Sequence, residues 1–146
     1  MTTRTYAIRL AIPDNEAFTA SETLTRLGIG AARVVRADVW LFEVDDAAAA
    51  GLTGAIGAIE TIYNPNKHRL AERASDRPGP GEVWIVPRDE KPVTAIGGRT
   101  IPGVSAIRRR TAWRLLDETG RDVPAETLAR AAETFLCNPA FQEAIF

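Results

Sequence analysis

The sequence predicts an α+β protein made of two tandem β-α-β-β-α units, which we call the first and second repeat. Three observations lead to this fold class. Apolar residues alternate with a period of two in some segments and recur at helical spacing in others. A stretch rich in proline and glycine, residues 74–81, divides the chain. The same landmarks then follow in the same order on both sides of that stretch. We therefore expect a first unit at 1–73, a linker at 74–81 and a second unit at 82–146.

The first repeat begins with an alternating apolar segment at residues 6–12, which is typical of a strand. Pro13 stops this strand, and Asp14 or Asn15 can cap the helix that follows. Gly28 is suited to end that helix in the left-handed conformation. The remaining predicted elements are a hairpin at 32–36 and 39–44, and a helix with Leu52, Ile56, Ile59 and Ile62 facing inward that ends at Asn64-Pro65.

The second repeat follows the same order with one exception. Residues 91–103 contain two prolines and a pair of glycines, so we expect its first helix to be degenerate and replaced by a loop. The other predicted elements are a strand at 82–86, a hairpin at 106–110 and 112–116, and a helix with an apolar stripe at Leu128, Ala131, Ala132 and Phe135 that ends at Asn138-Pro139.

Matching landmarks in the two repeats lie 73 or 74 residues apart. They are Pro13 and Pro87, Gly30 and Gly103, Arg36 and Arg109, Trp40 and Trp113, and Asn64-Pro65 and Asn138-Pro139. A nearly constant offset indicates duplication. A domain of this size buries too little surface to be very stable alone, so we expect the antiparallel sheets of the two repeats to pack as a pseudo-dimer.

Composition excludes several function classes. With 18 Lys and Arg against 19 Asp and Glu, the chain has no basic field to attract nucleic acid. Cys137 is the only cysteine, which excludes an internal disulfide and a cysteine-based zinc site. No apolar run approaches the ~20 residues that cross a bilayer, and no signal-peptide pattern opens the chain. The sequence therefore predicts a soluble, cytoplasmic protein with no membrane partner.

Few residues are candidates for chemistry. His68, the only histidine, is expected to be a solvated loop residue, and Cys137 a small buried side chain. We predict no catalytic, cofactor-binding or metal-binding residue and no cofactor. Possible contacts to a partner or a phosphate are Arg36, Arg108, Arg109 and Arg110, since arginine binds carboxylates and phosphates through paired hydrogen bonds. The alternative for these arginines is a solvated sheet edge, where charge discourages aggregation.

The run Phe135-Leu136-Cys137-Asn138-Pro139-Ala140-Phe141-Gln142-Glu143 resembles the PurS subunit of phosphoribosylformylglycinamidine synthase. Ile62-Tyr63-Asn64-Pro65 repeats its core, and the stretches 34–40 and 107–113 resemble the arginine-containing β2–β3 turn of that family. The chain departs from the family where Ala37-Asp38 and Arg110-Thr111 replace a glycine and a lysine. The resemblance implies that Asn64, Pro65, Asn138 and Pro139 form the turns of the family motif.

The resemblance also implies a function. A tandem PurS-like chain would be a non-catalytic assembly subunit in de novo purine biosynthesis. It would bridge a PurL-like synthetase subunit and a PurQ-like glutaminase subunit, and a homo-oligomer is possible. The alternative is a small-molecule-binding regulatory domain similar to ACT domains, because fold does not fix function. A small enzyme using Arg109 and nearby carboxylates is a third class.

Overall fold

The computed structural model describes residues 1–146 and shows a mixed α+β protein. Its strands are β1 (Thr2–Leu10), β2 (Arg33–Val44), β3 (His68–Arg73), β4 (Glu82–Pro87), β5 (Val104–Leu116) and β6 (Gln142–Ile145). Its helices are α1 (Asn15–Arg26), α2 (Asp46–Ala49), α3 (Leu52–Gly57) and α4 (Ala125–Ala131), which continues into a π-helical turn at Ala132–Leu136. The strands form an antiparallel sheet in the order β3-β1-β2-β5-β4-β6. The α+β class is confirmed.

The residues pack into two compact units. Unit 1 consists of Met1–Ile12, Asp38–Asp76 and Glu90–Arg109, and unit 2 consists of Pro13–Ala37, Arg77–Asp89 and Arg110–Phe146. Each unit therefore takes segments from both sides of residues 74–81, and the long strands β2 and β5 contribute to both. This division records which residues contact one another, whereas the repeats describe similarity along the sequence. The boundaries 1–73, 74–81 and 82–146 stay a prediction.

Both predicted hairpins are wrong, because each is one long strand. β2 runs for 12 residues and β5 for 13. Asp38, at the expected first turn, pairs with Ile8 of β1, and Thr111, at the second, pairs with Ile85 of β4. Tight hairpin turns favour glycine or asparagine in positive-φ conformations, and neither 37–38 nor 110–111 contains one. Without turn residues, both segments continue as strands.

In unit 1, β1 pairs with β2 on one side and with β3 on the other. Trp40, Phe42 and Val44 lie on one face of β2, as the period of two predicts, and they pack in one cluster with Tyr6 of β1. The predicted second helix is broken between α2 and α3 at Ala50 and Gly51. Its predicted inward residues are nevertheless all buried in this cluster: Leu52, Ile56, Ile59 and Ile62.

In unit 2, β4 pairs with β5 on one side and with β6 on the other. Buried residues of α1 and α4, such as Leu24 and Leu128, pack in one cluster with Val83 and Ile85 of β4 and Leu115 of β5. This cluster is the core that positions the end of α4 and the strand β6.

Helix α1 has the predicted ends. The Asp14 carboxylate accepts hydrogen bonds from the backbone N–H groups of Glu16 and Ala17 at 3.0 and 3.2 Å. Gly28 has φ +76°, and the Ile29 N–H donates back to the Leu24 carbonyl at 2.9 Å. These bonds satisfy groups at both helix ends that have no partner within the helix.

The apolar stripe of α4 departs from the prediction at Phe135, which is 42% exposed. The π-helical turn is the cause, because the Cys137 N–H donates to the Ala132 carbonyl, five residues back, at 3.0 Å. One extra residue in the turn rotates the next side chain into the core, so Leu136 is buried instead. No helix lies between β4 and β5, as the prolines and glycines of residues 91–103 predict. The interpretation of this loop as the degenerate first helix of a second repeat stays a prediction.

Candidate functional site

Arg36 is bound within unit 2. Its Nε lies 3.2 Å from Oδ2 of Asp14, and its Nη1 lies 2.9 Å from Oε2 of Glu16. The Arg36 side chain is 22% exposed. Because Asp14 also caps α1, Arg36 joins strand β2 to the start of that helix. The ion pairs of Arg36 with Asp14 and Glu16 therefore stabilise the fold. A contact between Arg36 and a partner protein or a phosphate stays a prediction.

Arg108 and Arg109 lie in the part of β5 that belongs to unit 1, and each has its own acids. Arg108 lies between Glu43 at 3.2 Å and Glu90 at 3.6 Å. Arg109 donates to Asp38 at 2.9 Å, and its guanidinium lies 5.2 Å from the centre of the Trp40 ring. The Arg109 side chain is the more accessible of the two, with 59% of it exposed against 29% for Arg108. It combines a cation–π contact, an ion pair and an open side, so it remains a candidate contact.

Arg110 is assigned to unit 2 and is half-buried. Successive side chains of a strand point to opposite faces, and the neighbouring carboxylates neutralise Arg108 and Arg109. The sequence had no means of showing these acids, since Glu43 and Asp38 are 65 and 71 residues away from their arginines.

The two Asn-Pro segments form the same turn. In the first, the Asn64 carbonyl accepts from the N–H groups of Lys67 and His68 at 3.0 and 2.8 Å. The Asn64 side chain accepts from the Asn66 N–H at 2.9 Å, and the His68 Nδ1 accepts from the Asn64 N–H at 2.9 Å. Hydrogen bonds of the backbone and of two side chains thus close the turn that contains Pro65.

In the second, the Asn138 carbonyl accepts from Phe141 and Gln142 at 3.1 and 2.8 Å. The Asn138 side chain accepts from the Ala140 N–H at 3.1 Å, and Oε1 of Gln142 accepts from the Asn138 N–H at 2.9 Å. All four hydrogen bonds of the first turn therefore have a counterpart. The predicted family-motif residues Asn64, Pro65, Asn138 and Pro139 lie in these turns.

Each turn leads into an outer strand that the sequence patterns did not predict. β3 follows the first turn and pairs with β1, and β6 follows the second and pairs with β4. Beyond the Asn-Pro pairs, residues 66–72 and 140–146 share no identical residue at matching positions, so the repeat gave no signal for these strands. Both strands are short, with six and four residues, and β3 carries three charges, so neither shows a strong apolar alternation.

A hollow of about 310 Å³ lies beside β6 in unit 2, and we call it the β6 hollow. Its lining is mainly apolar and comes from the end of α4, the second Asn-Pro turn and the β6 region: Ala129, Ala132, Glu133, Cys137, Pro139, Ala144 and Phe146. No residue of β4 or β5 lines it. Phe141 and Phe146, at either end of β6, are 70% and 59% exposed. β6 therefore has an exposed phenylalanine at each end and a mainly apolar hollow beside it.

A second hollow in unit 2, the α1 hollow, measures about 560 Å³. It lies between Thr25 near the end of α1, the loop at 28–32 that follows this helix, and the turn at 117–119. The Asp117 carboxylate accepts from the Thr119 hydroxyl at 2.6 Å and from the Arg121 N–H at 3.0 Å. These bonds, the Thr119 hydroxyl first, lower the pKa of Asp117, so the turn keeps its negative charge.

Two other groups have shifted pKa values. The Thr2 hydroxyl donates to Asp46 at 2.6 Å and, with the nearby amino-terminal charge, lowers the pKa of Asp46. The hydrogen bond from Arg114 to Asp122 at 2.7 Å raises the pKa of Arg114. Both shifts stabilise the charged forms and leave the ionisation at neutral pH unchanged.

His68 and Cys137, the single histidine and the single cysteine of the chain, both lie within or next to the folded elements. His68 is half-buried at the start of β3, where its Nδ1 accepts a hydrogen bond, so the prediction of a solvated loop residue was wrong. Cys137 is half-buried next to the core of unit 2 and has no disulfide partner.

No group of three or more His, Cys, Asp and Glu side chains is placed to hold a metal ion. None of the helices is both long and apolar enough to cross a membrane.

Comparison with known proteins does not assign this chain to a family. A scan against protein-family models finds none that matches this chain, and a search of curated proteins finds no match either.

Proposed function

We propose that this chain is a tandem PurS-like assembly subunit of phosphoribosylformylglycinamidine synthase. In this role it bridges a PurL-like synthetase and a PurQ-like glutaminase in de novo purine biosynthesis, acts through protein–protein contacts and works in the cytoplasm. The two repeats of the proposal are the segments 1–73 and 82–146.

One observation supports this proposal above the others. The turns at Asn64 and Asn138, 74 residues apart, share four hydrogen bonds of the same kind. Each turn is followed by a strand that pairs with the first strand of its own repeat, and that first strand also pairs with the long strand carrying Trp40 or Trp113. Matching geometry at matching sequence positions is what duplication of one PurS-like unit predicts.

The proposed role needs exposed surface. Unit 1 offers Arg109, which is held by Asp38 and Trp40 and still 59% exposed. A preordered arginine loses little freedom when it binds a carboxylate of another protein. Unit 2 offers the exposed phenylalanines around β6. Aromatic and arginine side chains are the types most enriched at protein interfaces.

The test is reconstitution with the synthetase and glutaminase subunits of the same host. We expect the tagged chain to recover both subunits and to increase glutamine-dependent amination of formylglycinamide ribonucleotide, while ammonia-dependent amination needs only the synthetase. Arg109→Glu should weaken recovery, and Arg99→Glu, an exposed arginine of the same unit, is the matched control. Recovery of neither subunit, with no effect on glutamine-dependent activity, would contradict the proposal.

An ACT-like small-molecule-binding domain is the second candidate, and the α1 hollow favours it. Its volume of about 560 Å³ falls within the range of small-molecule sites, about 300–1,000 Å³. Ligands that bind the folded state raise its melting temperature. We expect a thermal-shift screen with amino acids and purine nucleotides to show a ligand whose effect is lost in Thr119→Arg, which would fill the hollow. The absence of any shift would remove this candidate.

A further inference from the structure

We infer that the outer edge of β6 binds an extended segment of another protein, in which a large apolar residue and a lysine or arginine stand two positions apart. The segment adds as a further strand to the sheet, its apolar side chain enters the β6 hollow, and its cation pairs with Glu133. This interaction goes beyond the proposed function and does not depend on it.

The backbone of β6 is the first part of the case. β6 is the last strand in the sheet order and pairs only with β4. An outer strand presents N–H and C=O groups on its free side, and a further strand can pair with them. Proteins usually protect such edges with charge, and β6 has one charged residue, Glu143, in four. This edge is therefore open to strand addition.

The hollow is the second part of the case. Small side chains, among them Ala129, Ala132 and Ala144, leave a volume of about 310 Å³ between the end of α4 and β6. In a sheet, alternate side chains of an added strand point to the same face. One large apolar side chain of an added strand can therefore enter the space that the alanines leave, and burying it gives the added strand affinity beyond its backbone hydrogen bonds.

The charge of Glu133 selects the occupant. Glu133 is the only charged residue in the lining, it is exposed, and its side chain has no hydrogen bond or ion pair. A second copy that pairs through its own β6 does not supply the complement, because residues 138–146 contain no lysine or arginine and add Glu143. A cation two positions from the apolar residue lies on the same face of the added strand. Because the apolar residue enters the hollow that Glu133 lines, the cation then lies on the side of Glu133.

The test uses capped heptapeptides with a threonine host sequence, and with leucine and lysine two positions apart in both orders. Fluorescence anisotropy with the full chain should show saturable binding of one order, about tenfold tighter than a peptide with glutamate in place of lysine. Two further peptides are N-methylated at alternate amides, one in each phase. Both keep the side chains, and the one whose methylated amides face β6 loses the donors that pair with it and should not bind.

Protein variants complete the test. Glu133→Lys should reverse the preference and favour the glutamate peptide, and Glu22→Lys, an exposed residue of α1, should leave it unchanged. Thermal unfolding checks that both variants fold. Binding that ignores peptide charge or backbone methylation, or no binding by any peptide, would overturn the inference. A dimer in sedimentation that Ala144→Arg dissociates would assign the edge to a second copy and would also overturn it.

Discussion

The two Asn-Pro turns and the strand groups around them give the most informative comparison in this molecule. The first turn leads into β3 beside β1 and β2, and the second leads into β6 beside β4 and β5. The hydrogen bonds of the turns match one for one, but a histidine closes the first and a glutamine the second. The outer strands differ more, because β3 carries three charges and β6 lies between two exposed phenylalanines.

The difference shows which features the fold requires. The asparagine and proline are the same in both turns, because the asparagine carbonyl and side chain both accept turn hydrogen bonds and proline fixes φ. The closing residue needs only an acceptor at the right distance, and either an imidazole nitrogen or an amide oxygen provides it. The outward side chains of the edge strands have no such constraint. They define instead which edge is protected and which is open.

The largest expected effect is at the tryptophans of the two long strands. Trp40 is 7% exposed and stacks on Phe42 with ring centres 6.4 Å apart, whereas Trp113 is only partly buried. We expect Trp40→Ala to lower the free energy of unfolding by about 3–5 kcal/mol. Trp113→Ala should cost roughly half as much, because less of its ring leaves water on folding. Urea denaturation followed by circular dichroism measures both, and an equal or reversed order would contradict this difference in packing.

The asparagines of the turns should show smaller and similar effects. Asn64→Ala and Asn138→Ala each remove one side-chain acceptor from a backbone N–H, and we expect each to cost about 1 kcal/mol. Asn64→Asp and Asn138→Asp keep the acceptor oxygen and serve as controls that should lose less. If only one of the two alanine variants were destabilised in chemical denaturation, the two turns would not be energetically equivalent.

Particular residues show how far the sequence predicts this fold. The ends of α1 were predictable because Asp14 and Gly28 act through bonds to residues at most five positions away. The long strands were not, since the hairpin prediction divided each apolar run at polar residues, and only pairing with β1 and β4 shows that they stay extended. For the candidate sites, the sequence located the arginines and the Asn-Pro turns. It did not show the acids that pair with the arginines or the β6 hollow, which depend on contacts between distant segments.

The closing residues can be exchanged to test the comparison more finely. His68→Ala removes the acceptor for the Asn64 N–H, and we expect a loss of about 1 kcal/mol. His68→Gln should restore most of it, because Gln142 makes the equivalent bond in the second turn. Chemical denaturation of the two variants, with Gln142→Ala and Gln142→His as the matched pair, measures this. A His68→Gln variant as unstable as His68→Ala would show that the histidine ring acts through packing on Tyr63, 6.3 Å away, rather than through the hydrogen bond.

The smallest expected effect distinguishes the edges themselves. Arg4 of β1 donates to Glu72 of β3 at 2.6 Å, whereas Glu143, the only charged residue of β6, has no ion pair. Both members of the β1–β3 pair are about a third exposed, so a double-mutant cycle with Arg4→Met and Glu72→Gln should give a coupling of only about 0.2–1 kcal/mol. Added salt should reduce this coupling, because it screens exposed charges. Glu143→Gln should leave stability unchanged at any salt concentration. A coupling that is insensitive to salt would mean that the Arg4–Glu72 contact stabilises the edge through packing and hydrogen-bond geometry, and the charged side chains of β3 would then protect that edge by shape rather than by charge.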